Sequence, residues 1–162
     1  MGGREEILSQ LYKILDNNNN DIRIYYRLAE MSKRSSLRVF FKKLSYQKRI
    51  FCRRIRYEIR ELENSKALIP GQEIKTGNLS KLKSFQGLPT LKADIKGLMM
   101  YCYKKEQEYL HLYKNLLSNT HLGNIREMLL NQRHAVQLSL NEIKMLENKY
   151  NYEKNEGEVN YS

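Results

Sequence analysis

Carboxylates and imidazoles are the side chains best suited to hold a metal ion or move a proton, and the acid placed most unusually in this sequence is Glu106. It lies in ADIKGLMMYCYKKEQEYLHLYKNLL, residues 93–117. At ~100° per residue, Ile95, Met99, Cys102, Tyr103, Tyr109, Leu110, Tyr113 and Leu117 fall within roughly 60° of Glu106 on a helix. A carboxylate there points into a core. It then needs a cation, a metal ion or its own proton, because an uncompensated buried charge costs several kcal/mol.

Polar residues also stand near the middle of the other apolar stripes: Asn18, Gln47, Lys48 and Gln132. With Glu106 they form a polar layer at about half height. In di-iron bundles that level holds the metal, with one Glu from each of two helices and a Glu-x-x-His pair from each of the others. This layer offers one inward acid, three amides and an ammonium, which cannot offset two divalent ions. The single Glu-x-x-His, Glu108 to His111, lies ~200° and ~140° from Glu106 and faces away from the core. His134 is ~200° from Gln132, and His121 falls in a link. The layer therefore reads as a hydrogen-bonded device that sets helix register, with no metal ligands and no cofactor. A mononuclear or loosely bound ion, left from a metal-binding ancestor, is the alternative.

Four amphipathic segments must position these residues. The first helix spans Arg4 to Ser32, with Ile7, Leu11, Ile14, Leu15, Ile22, Tyr25 and Ala29 on one face. Asn17 to Asn20 either stay within it or break it into two shorter helices. Ser35 or Ser36 is the expected cap of the second helix, Leu37 to Glu63. Pro70-Gly71, Gly77-Asn78 and Gly87-Leu88-Pro89 interrupt the next stretch, where Asn78 could start a short helix. The third helix begins after Pro89 and reaches about Asn119, and the fourth runs from about Asn124 to Tyr150. The expected fold is all-α: an antiparallel four-helix bundle over residues 1–150 with one long crossover between helices 2 and 3, the connectivity of ferritin-like folds. Residues 151–162 read as a flexible C-terminal tail.

The chain also resembles a bacterial ferritin-like four-helix-bundle family described as a domain of unknown function. The similarity covers most of Leu8 to Asn148. It rests on Tyr25 with Ala29-Glu30, Leu37 and Phe41, Cys102 with Glu106 and Tyr113, and Ile125-Arg126 with Leu129 and Gln132. Members often carry an acid and a Gly before the helix-three Glu, where this chain has Tyr103 and Lys105. They also often carry a His late in helix four, where this chain has Leu140 or its neighbours. The resemblance implies the fold and assigns no activity.

A second chemistry lies outside the core. The net charge is +11, and Lys33 to Arg60 holds eleven Lys or Arg against one acid, Glu58. Lys42, Arg49, Arg53, Arg56 and Arg60 make a helical row able to bind phosphate, with Tyr46 and Tyr57 placed to stack on bases. Val39, Tyr46, Ile50 and Tyr57 form an apolar seam that also suits a symmetric homodimer, with Glu5 and Glu6 as candidate counter-charges. A solvated surface helix is the plain alternative. No Gly-rich phosphate loop or nucleophile elbow is present, and Cys52 and Cys102 suit neither a disulfide framework nor a zinc site. No secretory signal and no apolar run of ~20 residues is found, which makes the cytoplasm the expected location. The expectation is a non-catalytic bundle acting as a structural or interaction module. The alternative is a basic protein that binds nucleic acid or an anionic surface.

Overall fold

The computed structural model describes residues 3–65 and 95–159. Four α-helices make up these residues: α1 (Arg4–Met31), α2 (Ser35–Ser65), α3 (Ile95–Asn119) and α4 (Gly123–Val159). The connection expected between the second and third helices, with its short helix near Asn78, lies outside the described residues. α4 continues past Tyr150 to Val159, so the helix itself runs over residues 151–159, where a loose tail was expected.

α1 is unbroken across the four asparagines. Asn is a poor helix former because its amide competes for nearby backbone groups. Here two of these amides are engaged without breaking the helix. Asn18 Nδ2 donates to the Ile14 carbonyl one turn back at 2.9 Å. Asn19 Oδ1 accepts from Arg56 Nη2 at 3.0 Å and from the Cys52 thiol at 3.4 Å. Helix ends are held by specific groups. The Ser32 hydroxyl and backbone N–H both donate to the Leu28 carbonyl, at 2.6 and 3.0 Å, closing α1. Ser36, expected as a cap, instead shares a hydrogen bond with the Tyr150 hydroxyl. Between α3 and α4, Arg126 Nη1 donates to the Leu117 carbonyl at 2.8 Å, satisfying one of the carbonyls a helix end leaves free.

α1 packs chiefly on α2, and α3 chiefly on α4. Their apolar faces bury two separate lobes. One gathers Leu8, Leu11, Ile55, Tyr113, Leu116 and Leu129. The other gathers Ile24, Leu28, Phe41, Leu44, Met99 and Ile143. Each lobe draws on all four helices. Along α1 the two lobes are separated by Asn18 and Asp21, along α2 by Ser45 and Lys48, and along α3 by Glu106. No described helix is long and apolar enough to cross a membrane.

Candidate functional site

Glu106 and Lys48 meet in the middle of the molecule. The Lys48 ammonium lies 2.8 Å from Glu106 Oε2, and both side chains are 0% exposed. Burial alone would make either charge costly, and each answers the other. The ammonium also sits 4.2 Å above the Tyr109 ring and 5.4 Å from the centre of the Phe51 ring, contacts that favour a desolvated cation. Burial pushes the Glu106 carboxyl above its ordinary range, and Lys48 works against that shift.

The core buries three carboxylates among the described residues, where one inward acid was expected. Asp21 and Glu58 join Glu106. Asp21 is 3% exposed, faces the Tyr109 hydroxyl and lies 3.9 Å from Lys105. Burial raises its carboxyl too, opposed chiefly by Lys105, and its charge adds to the upward push on Glu106. Glu58 pairs with Arg54 at 2.9 Å and so is held from its own helix.

Asp21 was discoverable. The buried positions of α1 include Ile7, Leu11, Ile14, Asn18, Asp21, Tyr25 and Leu28, alternating steps of four and three. Reading Ile22 as the inward residue rotates that stripe by one position, and the structure leaves Ile22 and Leu15 only half-buried. Two tyrosine hydroxyls were also missed, because Tyr109 and Tyr113 read as apolar bulk.

The other layer residues divide into two sets. Asn18 lies within hydrogen-bonding reach of the Tyr113 hydroxyl, which donates to Gln132 Oε1 at 2.7 Å. Gln132 Nε2 reaches the Phe51 carbonyl at 3.5 Å. This chain of polar contacts touches all four helices in turn. Gln47 stands apart from it, half-buried, with its amide 3.3 Å from the Ser139 hydroxyl of α4. Asn18 Oδ1, Glu106 Oε1 and the Tyr25 hydroxyl find no partner among the described residues.

These donors do not suit a dinuclear metal centre. No three His, Cys, Asp or Glu side chains converge among the described residues. More tellingly, the cation beside Glu106 is supplied by Lys48, which repels a metal ion at that point. Glu108, His111, His121 and His134 are exposed, away from the layer. Glu108 and His111 instead line a surface groove of about 540 Å³ with Lys13, Asn17 and Lys104, whose walls include neither Lys48 nor Glu106. Both thiols are free and buried; burial pushes Cys52 up to about 11 and Cys102 well above its ordinary value, so neither is poised as a nucleophile.

The residues of the second chemistry are on the surface. Lys42, Arg49, Arg53, Arg56 and Arg60 are all exposed, as are Val39, Tyr46, Ile50 and Tyr57. Arg56 is bonded to the neutral Asn19, and the other four cations have no partner among the described residues. Compared with protein-family models, with curated proteins and with solved structures, the chain matches none.

Proposed function

We propose that this chain is a non-catalytic bundle of the ferritin-like type, a structural or interaction module whose core is closed by an ion pair at the level where di-iron relatives hold metal. The observation that carries this reading is the Lys48–Glu106 pair itself, 2.8 Å apart and fully buried. An ammonium paired with the central acid offsets the negative charge that a divalent ion would need there.

Side-chain pairings support the ferritin-like connectivity. Tyr12 meets Glu63, Asn19 meets Arg56 and Ser45 meets Ile22, so residue numbers fall along α2 as they rise along α1. Lys43 with Glu142, and Gln47 with Ser139, give the same opposed running for α2 and α4. Tyr103 with Lys144, and Tyr113 with Gln132, give it for α3 and α4. α2 and α3 then run the same way, as they do in ferritin-like bundles. The resemblance to bacterial ferritin-like bundles points in the same direction.

Elemental analysis of protein purified without chelators tests this reading. Only substoichiometric iron, manganese and zinc are expected, before and after incubation with each ion. One or two ions per chain, lost on Glu106→Gln, would overturn it.

A further inference from the structure

Opposite the buried side of α2 the helix carries two parallel features. Taking ~100° per residue, Val39, Tyr46, Ile50 and Tyr57 lie within about 20° of one line, which points directly away from Lys48. These four side chains are 66%, 61%, 45% and 51% exposed. Lys42, Arg49, Arg53, Arg56 and Arg60 all lie between about 40° and 100° to one side of that line, the side facing α1. On the other side Lys43 is held by Glu142 of α4, and Arg54 is held by Glu58. On the ridge flank Arg56 is held by Asn19, while Lys42, Arg49, Arg53 and Arg60 have no partner among the described residues.

We infer that this face binds single-stranded nucleic acid, with phosphates along the ridge from Lys42 to Arg60 and bases laid over Tyr46 and Tyr57. The inference rests on reading the bundle as an interaction module and names what that module holds. Four of the five ridge residues are arginine, whose planar fork matches a phosphate and whose flat face stacks on a base. From Lys42 to Arg60 the ridge runs about 27 Å along the helix, long enough to follow several consecutive phosphates. Beside it the apolar line supplies what unpaired bases require, flat or greasy contacts that are indifferent to sequence. A duplex keeps its bases stacked inside and has no use for such a platform.

Other occupants fit less well. A second copy docked antiparallel along the same line would bring its basic ridge to the same side as the first, Arg against Arg. An acidic helix would answer the charge, but one convex row of four side chains offers it far less than the several hundred Å² that a stable protein contact buries on each partner.

The test uses the full chain and a labelled mixed-sequence 20-nucleotide single strand, followed by fluorescence anisotropy between 50 and 200 mM salt. Binding is expected, weakening about 100-fold over that range, since five contacts at about −0.7 each give a slope near −3.5. Arg49→Gln with Arg53→Gln should flatten the slope by about 1.4. Tyr46→Ala with Tyr57→Ala should cost about tenfold or more in single-strand affinity at an unchanged slope. All four sites are exposed, and thermal melting confirms that the variants fold. The inference fails if the strand does not bind at 50 mM salt. It also fails if the duplex or polyglutamate competes equally and the tyrosine variant binds as the parent does, which marks diffuse charge alone. A dimer in sedimentation that dissociates on Ile50→Ser would fail it too, and would assign the seam to a second copy. Metal bound at Glu106 would sink the reading of the core while leaving strand binding intact, so the two failures are distinguishable.

Discussion

Lys48 and Arg49 are neighbours in sequence and opposites in circumstance. Lys48 is sealed in the core against Glu106, while Arg49 stands in solvent with no partner among the described residues. The inner cation is consumed by the fold, since its charge is answered at 2.8 Å and no partner from outside can reach it. Lys42, Arg49, Arg53 and Arg60 on the outside are left over. Stability should therefore depend on the first and be indifferent to the second, and binding should show the reverse.

The sharpest way to break that contrast is one replacement made at two positions. Lys48→Met strands the Glu106 carboxylate in the core and should cost about 3–5 kcal/mol in urea unfolding. Arg53→Met should leave the unfolding midpoint where it was. Equal effects at the two positions would erase the distinction.

A smaller effect is expected from the polar chain beside the pair. Tyr113→Phe removes the donor to Gln132 Oε1 and leaves a buried acceptor unanswered, a loss of about 1–3 kcal/mol. Unfolding measured with and without the change checks it. A neutral result would mean that the layer tolerates gaps and does not enforce register.

The least effect, and the most diagnostic in sign, concerns Asp21. Its carboxyl is raised above an ordinary value of 3.8, chiefly by burial. The folded chain thus keeps this proton to higher pH than the unfolded chain does. Its contribution to stability is fullest below the ordinary value and is lost as pH climbs through the raised one. Asp21→Asn carries no such proton, so it should gain on the parent as pH rises from below that ordinary value. A stability difference that stays flat, or that moves against Asp21→Asn, would mean that Lys105 outweighs burial.

What was readable in the sequence followed the apolar period. Four helices, the inward course of Glu106 and the central place of Gln132 all come from residues recurring every three or four positions. Lys48 was readable as a layer residue but not as the partner of Glu106, because the two lie 58 positions apart on helices that are not neighbours, and only the assembled bundle lets the Lys48 side chain reach across the core to α3. Asp21 was masked by Ile22, whose hydrophobicity pulled the stripe one step round the helix. Gln47 looked equivalent to Lys48 beside it, yet 100° of rotation turns it toward Ser139 at the layer's edge. The continuity of α1 through Asn17 to Asn20 depends partly on Arg56 and Cys52 of α2, which local propensity does not contain.

A double-mutant cycle on Lys48→Met and Glu106→Leu tests the central claim most directly. If the two charges exist for each other, removing both should be far milder than removing either, with the double variant near the parent or up to about 4 kcal/mol more stable. Losses that simply add would show that the two side chains act independently, and the ion-paired core would have to be abandoned.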